Sequence, residues 1–254
     1  DDNKLVGSGG ITVSGDAFIV EGNSTTGNDT IRIDNATNNA TNLIYGDTEI
    51  AINNTGSGYI QFGNDTINDG TGASTIYGDA KTLQGSGEVR AGSDTIEAGT
   101  GLDVIYGDFG DISGFTGTIY LGDDYIRGNA GHDIIYTDFI SDDGFTGTFV
   151  VGTGTDTVFG GWGADTIYAG YGTEVIDGRN PAGESGTGMN QDTVYMQGLE
   201  GDYSLVLNGH TSKNVTLSGT VDGYAANITL LDIEHIYFEN GDHYQWSAGS
   251  WSLV

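Results

Sequence analysis

The sequence predicts an all-β fold in which short strands stack as a solenoid. The 254 residues include 45 glycines and one proline, and no stretch sustains the 3.6-residue apolar period of an amphipathic helix. Residues 92–108 contain Gly-x-Asp-x-Ile twice, nine residues apart, and end in Ile-Tyr-Gly-Asp. Related copies place their first apolar residue at Ile67, Ile96, Ile126 and Val158, a period of about 30 residues. Such a period indicates stacked units, each too small to bury its own apolar face.

Residues 1–26 are predicted to be capping strands. Residues 11–22 alternate apolar and polar side chains, as half-buried strands do. A solenoid needs a cap because an open end exposes unpaired backbone groups. The first ten residues contain neither a basic region nor an apolar core, so no N-terminal signal peptide is predicted.

Residues 27–192 are predicted to form the body of the solenoid. In each unit glycine permits a tight turn, and the aspartate that follows supplies a hard anionic oxygen. The Ile or Val two places later points inward, because strand side chains alternate between faces. Stacking the units at about 4.8 Å brings each aspartate near the turn of the next coil. Carboxylate and carbonyl oxygens, without nitrogen or sulfur donors, are the ligands that calcium prefers.

The turns resemble the nonapeptide repeats of RTX proteins, whose pattern is Gly-Gly-x-Gly-x-Asp-x-U-x. The closest copies lie at residues 98–105, 128–135, 152–158 and 160–167. This resemblance implies a right-handed parallel β-roll, or β-helix, that binds about six to eight calcium ions. The implied side-chain ligands are Asp29, Asp65, Asp94, Asp103, Asp124, Asp133, Asp156 and Asp165. The implied carbonyl ligands include those of Gly70, Gly72, Gly99, Gly101, Gly161 and Gly163.

The repeats depart from the family pattern in two ways. Ser74 and Glu174 stand where aspartate is expected, so these two turns are predicted to bind calcium weakly or not at all. Inserts of variable length follow each Ile-Tyr-x-Asp, so we expect longer loops along one edge of the roll. The aspartates at these positions are either ligands on that second edge or caps of their own turns. They are Asp47, Asp79, Asp108 and Asp138.

A row of tyrosines follows the inward isoleucine of each second strand. It contains Tyr45, Tyr77, Tyr106, Tyr136 and Tyr168. If these side chains point outward, they form an exposed apolar stripe, and Tyr77, Tyr106, Tyr136 and Tyr168 are candidates for an interface. Alternatively the inserts fold back over the row, with residues 114–120 and 144–150 as covering strands.

Residues 193–254 are predicted to form a small antiparallel cap. Residues 179–192 contain the single proline and indicate a boundary loop. Residues 233–244 resemble the segment that often closes RTX proteins, next to an uncleaved C-terminal signal for type I secretion. The resemblance implies a protein exported by a Gram-negative bacterium to the cell surface or medium without an N-terminal signal.

Charge and composition exclude several classes of function. The net charge of −29 repels nucleic acid and anionic lipid. No apolar run approaches the roughly 18 residues of a membrane span. The chain has no cysteine, so calcium replaces disulfides as the means of stabilising a secreted fold. Metalloprotease, nucleophile-elbow and phosphate-loop motifs are absent, so no enzymatic activity is predicted.

Three functions were weighed against this pattern. The first is a secreted structural or self-assembling protein, such as a component of a surface layer, matrix, filament or adhesin. The second is a calcium-dependent folding and secretion module of a larger exoenzyme. The third, ice binding, needs regular outward rows of Thr and Asn. The second outward row is too irregular for that function, since it contains Asn68, Glu97, Arg127 and Phe159.

Overall fold

The computed structural model shows a stack of parallel β-strand coils that ends in antiparallel strands. It describes residues 2–7, 10–35, 41–53, 58–140, 148–149, 154–179, 191–207, 213–247 and 249–254. The predicted all-β solenoid is therefore confirmed, as are the antiparallel C-terminal strands. Within these residues no helix is long and apolar enough to cross a membrane.

The first four coils contain four strands each. The first contains β1 (Asp2–Gly7), β2 (Thr12–Ser14), β3 (Ala17–Glu21) and β4 (Ser24–Thr25). The second contains β5 (Thr30–Asn35), β6 (Asn42–Tyr45), β7 (Thr48–Asn53) and β8 (Tyr59–Gln61). The third contains β9 (Thr66–Asn68), β10 (Ser74–Tyr77), β11 (Ala80–Gly85) and β12 (Glu88–Arg90). The fourth contains β13 (Thr95–Glu97), β14 (Val104–Tyr106), β15 (Phe109–Phe115) and β16 (Thr118–Tyr120).

Within the described residues, the later coils contain fewer strands. The fifth contains β17 (Tyr125–Ala130), β18 (Ile134–Tyr136) and β19 (Thr148–Phe149). The next two contain β20 (Thr155–Trp162), β21 (Thr166–Tyr168), β22 (Gly172–Asp177) and β23 (Thr193–Tyr195). The 3₁₀ turn Glu200–Asp202 precedes β24 (Tyr203–Leu207), β25 (Val215–Val221) and β26 (Tyr224–Leu231). The last strands are β27 (His235–Tyr237), β28 (His243–Ser247) and β29 (Ser250–Leu253).

Stacking of the coils produces four sheets. Sheet A has the order β1-β5-β9-β13-β17-β20-β22-β26-β25-β24, and sheet B has the order β2-β6-β10-β14-β18-β21-β23-β27-β28-β29. Sheet C, with the order β15-β11-β7-β3, and sheet D, with the order β19-β16-β12-β8-β4, accompany the earlier coils. The pairing is parallel as far as β26 and β27. The final hairpins, β24 with β25 and β28 with β29, are antiparallel.

The core consists of apolar columns in which each residue lies on its equivalent in the next coil. In sheet A, Ile67 pairs with Ile96 and Ile96 with Ile126, and all three are fully buried. In sheet B, Ile76 and Ile105 pair in the same way. Burial of each such side chain contributes about 1.5–3 kcal/mol. The inward Ile or Val of the repeat therefore sets the register of every coil.

The inserts contain β-strands, whereas the sequence predicted long loops along that edge. In the earlier coils they form sheets C and D, and their inward side chains extend the same core. Leu83 and Ile112 of sheet C, with Val89 and Ile119 of sheet D, are fully buried. This outcome follows from the apolar residue near the middle of each insert, which needs burial as much as the repeat isoleucines do.

Parallel pairing runs from the first described strand to β27. The described residues 2–7 and 10–25 contribute a first coil, because β1 to β4 each pair in parallel with a strand of the next coil. At the other end, parallel pairing continues beyond residue 192 to Tyr237. Most of the predicted boundary loop, residues 180–190, lies outside the described residues.

Candidate metal centre

One row of buried aspartates lies where each strand of sheet A turns into a strand of sheet B. We name Asp103, Asp133, Asp165 and Asp192 the edge row; each is at most 2% exposed. The backbone N–H of each donates to Oδ1 of the next, at 2.9 Å, 2.8 Å and 2.9 Å in order along the row. Oδ2 of Asp103, Asp133 and Asp165 is also buried but has no hydrogen-bond partner among the described residues.

Glycines shape the turns of the edge row. Gly99 and Gly161 have φ of +93° and +113°, a region that side chains rarely adopt. A Cβ on Gly99 would clash with the carbonyl oxygen of Gly70 in the preceding coil, and one on Gly101 with that of Gly72. The Gly70 carbonyl accepts a hydrogen bond from the Thr100 N–H at 3.1 Å. Since a carbonyl oxygen has two lone pairs, this bond leaves one available to a cation.

A second row lies where the chain enters each strand of sheet A. We name Asp29, Asp65, Asp94, Asp124 and Asp156 the entry row. Each N–H again donates to Oδ1 of the next aspartate, at 2.7 Å to 2.8 Å. Oδ2 of Asp65, Asp94, Asp124 and Asp156 is buried with no hydrogen-bond partner in the described part of the chain.

A third row lies where the chain leaves each strand of sheet B. We name Asp47, Asp79, Asp108 and Asp138 the exit row, and each is at most 1% exposed. Their carboxylates accept N–H bonds from the coil corner that leads into sheet A. The donors are Gly63 at 3.0 Å, Gly92 at 3.0 Å, Gly122 at 3.1 Å and Tyr171 at 2.9 Å.

The hydrogen bonds of the exit row place it beside the corner that leads into sheet A. Gly63, Gly92 and Gly122 each precede an entry-row aspartate by two residues, so the exit row lies against the entry row. We call this contact the junction. These hydrogen bonds span 16, 13 and 14 residues, so the aspartates brace a distant corner rather than cap their own turns.

Burial makes these carboxylates difficult to ionise. In the edge row, burial raises the pKa of Asp103 to about 8, that of Asp133 to about 7 and that of Asp165 to about 6. At the junction, burial followed by repulsion from Asp94 raises the pKa of Asp79 well above its ordinary range. Burial and repulsion from Asp124 do the same for Asp108.

The donor set fits a hard divalent cation. A buried carboxylate with an unpartnered oxygen is costly unless a proton or a cation neutralises it. The three rows present carboxylate and carbonyl oxygens, which suit calcium. His132, the histidine nearest to these turns, is exposed, and its Nδ1 lies 2.9 Å from the Ala164 nitrogen and 3.1 Å from the Ala164 oxygen. Its Nδ1 therefore contacts the backbone of the next coil.

A comparison with known families matches the RTX calcium-binding nonapeptide repeat in four copies, at residues 60–80, 90–111, 121–139 and 144–180. The chain carries RTX repeats. The resemblance seen in the sequence is thus confirmed, and calcium is the metal that these repeats bind. A search of curated proteins found no match to the chain.

The RTX matches cover most of the predicted ligands. Entry-row residues Asp65, Asp94, Asp124 and Asp156 fall within them, as do Asp103, Asp133 and Asp165 of the edge row. Asp29 lies before the first matched segment. Each predicted aspartate is buried in one of the three rows, but the sequence did not indicate that the entry and exit rows meet.

The two RTX turns that depart from the pattern retain carboxylates. Ser74 donates its hydroxyl to Asp69, and Asn42 donates to the other Asp69 oxygen at 3.0 Å, so Asp69 brings a charge to that corner. Glu174 is 1% exposed and pairs in register with Asp156 as a continuation of the entry row. Asp69 could have been recognised from the sequence, because the other copies have glycine or alanine at this turn position.

The tyrosine row is a continuous stack. Successive ring centroids are 4.5 Å to 5.5 Å apart, and the row extends beyond the predicted members to Tyr195 and Tyr237. Tyr77 and Tyr106 are only 8% exposed, so they are covered rather than available as an interface. The covering segment at Tyr77 is the start of β15, where a Cβ on Gly110 would lie 2.6 Å from the ring. Tyr136 and Tyr168 are half-buried.

Proposed function

We propose that this protein is a secreted calcium-binding RTX solenoid with a structural, non-enzymatic role at or outside the cell surface. The observation that carries the proposal is the recurrence of buried carboxylates with unpartnered oxygens in a chain of net charge −29. Calcium neutralises these rows and thereby favours the coiled state over the unfolded chain.

An extracellular location supplies the ion. Extracellular calcium modules bind with a Kd of about 10⁻⁴ to 10⁻³ M. A site with such a Kd remains largely empty in the cytoplasm and fills outside the cell, so folding is coupled to export.

Self-association is supported by the first coil. The strand β3 lies at the end of sheet C, and strand edges at the end of a sheet can pair with other chains. Phe18 and Ile19 on this strand are 53% and 54% exposed. Exposed apolar side chains beside a strand edge that pairs with no other described strand favour assembly of calcium-loaded molecules through this coil.

Circular dichroism and sedimentation with and without calcium test the proposal. Calcium at about 5 mM, well above the expected Kd, should increase β-structure and produce species larger than a monomer. Phe18→Ser with Ile19→Ser should abolish assembly and leave calcium-induced folding intact. A chain that is equally folded in chelator would refute the calcium role, and a calcium-loaded monomer at high concentration would refute assembly.

The second candidate is a folding and secretion module of a larger exoenzyme. The same exposed first coil favours it, because a domain preceding the coil could cover Phe18 and Ile19. The two candidates differ in the sedimentation experiment, since a module of this kind would fold with calcium and remain monomeric.

A further inference from the structure

We propose that His235 and His243 form a binding site for one transition-metal ion of the copper or zinc class, on the outward face of sheet B. Imidazole nitrogens suit copper, zinc and nickel, whereas calcium prefers oxygen ligands. Both histidines lie outside the three acidic rows, so this site is independent of the proposed calcium function.

Two antiparallel strands bring the histidines together. In the pairing of β27 with β28, His235 lies opposite Gln245 and Tyr237 lies opposite His243. The two histidines are therefore diagonal neighbours on one face of the sheet. Ile236, between His235 and Tyr237, is fully buried, so the shared face is the outward one. Further pairing of β27 with β23 and of β28 with β29 fixes both backbones from the other side.

Neighbouring side chains hold this pair in place. The ring of Tyr237 stacks on that of His243, with centroids 3.9 Å apart and planes 9° apart. On the strand that carries His243, the Tyr244 hydroxyl donates to Glu200 at 3.0 Å. Both histidines are half-buried. Such preorganised ligands lose little side-chain entropy when they bind an ion.

The nitrogen atoms of the pair are separated by the distance expected of two ligands on one metal. Nδ1 of His235 lies 3.0 Å from Nε2 of His243, and the ring centroids are 5.2 Å apart, so the rings meet at their edges. Two nitrogens that are each about 2.0–2.1 Å from a shared ion lie roughly 2.8–3.4 Å apart, for bond angles between square-planar and tetrahedral. The χ2 torsion of histidine is soft, so both rings can turn toward such an ion.

Both rings are neutral at physiological pH, as metal ligation requires. Burial lowers the pKa of His235, and burial together with repulsion from His235 lowers the pKa of His243. In the metal-free pair one ring donates its N–H to the lone pair of the other. When an ion binds, the donating ring carries its proton on its other nitrogen, so both facing lone pairs become available.

The rest of the ligand shell favours copper(II) over zinc. Within the described residues no further histidine or acidic side chain joins this pair in a group of three. Gln245, opposite His235, presents an amide on the same face, and water completes the shell. Copper(II) binds a given set of nitrogen and oxygen ligands more strongly than zinc does. The net charge of −29 raises the concentration of cations around the protein.

Copper(II) chloride is the probe, titrated into the full chain at about pH 7.5, above the ordinary histidine pKa of about 6.5. Calcium at about 5 mM competes with copper at the acidic rows. Calorimetry gives the number of ions bound and their affinity, and electron paramagnetic resonance shows the nitrogen ligands. The variants are His235→Gln and His243→Gln, and the matched control is His132→Gln, which changes an exposed histidine outside the pair.

The parent should bind one copper ion whose spectrum shows coupling to two imidazole nitrogens. Each pair variant should lose one of these couplings and bind copper at least about tenfold more weakly, while the control should match the parent. Circular dichroism in calcium identifies any variant that does not fold, and the other pair variant then decides.

Three results would overturn the site. They are a parent that binds no copper, pair variants that bind copper as the parent does, and a control that loses as much affinity as the pair variants. In each case His235 and His243 share only a hydrogen bond.

Discussion

At the scale of single residues, each buried aspartate has two separate tasks. In the edge row, Oδ1 of Asp165 accepts the Asp133 N–H at 2.8 Å, while its Oδ2 has no partner in the described structure. The first oxygen holds neighbouring coils in register, and the second is available to a cation. Because the two tasks use different atoms, substitutions can separate them.

Asp165→Asn should weaken calcium binding but preserve the apo fold, since the amide oxygen can still accept the Asp133 N–H. Asp165→Ala should also destabilise the protein in chelator by about 1–3 kcal/mol, because that buried N–H loses its acceptor. Denaturant unfolding in chelator and in calcium gives both quantities. Equal apo stability of the two variants would contradict the structural task of Oδ1.

The stacked tyrosines contribute to stability at the residue scale as well. Tyr106 lies between Tyr77 at 4.7 Å and Tyr136 at 4.8 Å, with nearly parallel rings. Tyr106→Ala should cost about 3–5 kcal/mol through the cavity and lost ring contacts. Tyr106→Phe keeps the ring and should cost roughly less than 1.5 kcal/mol. Thermal unfolding measures the stability of both variants. Equal losses of stability in the two variants would show that the ring of Tyr106 does not contribute through packing.

At the scale of elements, the sequence predicts what is local and repeated. The Gly-x-Asp turn, the inward isoleucine and the tyrosine row each follow from residues a few positions apart, and all are present. The junction was not predictable in this way, because Asp79 contacts Gly92 only after the insert folds into β11 and β12. Inserts of unequal length hid those strands, whose register depends on pairing with neighbouring coils.

The tight approach of coils at the junction is testable with a single methyl group. A Cβ on Gly107 would clash with the Thr137 carbonyl oxygen and with Asp124 Oδ2. Gly107→Ala should therefore lower the melting temperature both in chelator and in calcium. Gly201→Ala is the control, because nothing lies within 4 Å of its added Cβ. Similar melting temperatures for the two variants would show that the coils are more widely separated here.

At the scale of the whole molecule, the apolar core and the negative charge have opposite effects on folding stability. Continuous apolar columns favour the coiled state, while three buried acidic rows in a chain of net charge −29 oppose it. The surface ion pairs, such as Arg127 with Glu97 at 2.9 Å, are too exposed to offset this repulsion. Protons or calcium ions must neutralise the rows, so pH and calcium act on the same groups.

The pH dependence of folding stability should consequently have opposite signs without and with calcium. Without calcium, the folded state holds protons on Asp103, whose pKa is raised to about 8, and on Asp133, whose pKa is raised to about 7. The unfolded chain releases these protons near pH 4. The apo protein should therefore lose stability as pH rises from about 4 to 8, because the folded state binds more protons than the unfolded state.

With calcium at about 5 mM, stability should instead increase as pH rises over the same range. Ionised carboxylates bind the metal, and protons compete with it. Melting curves at several pH values, in chelator and in calcium, measure both slopes. Asp103→Asn with Asp133→Asn should flatten both, because the amides do not titrate. Parallel slopes in the two conditions would mean that calcium and protons do not share these carboxylates, and the acidic rows would then not be the metal sites.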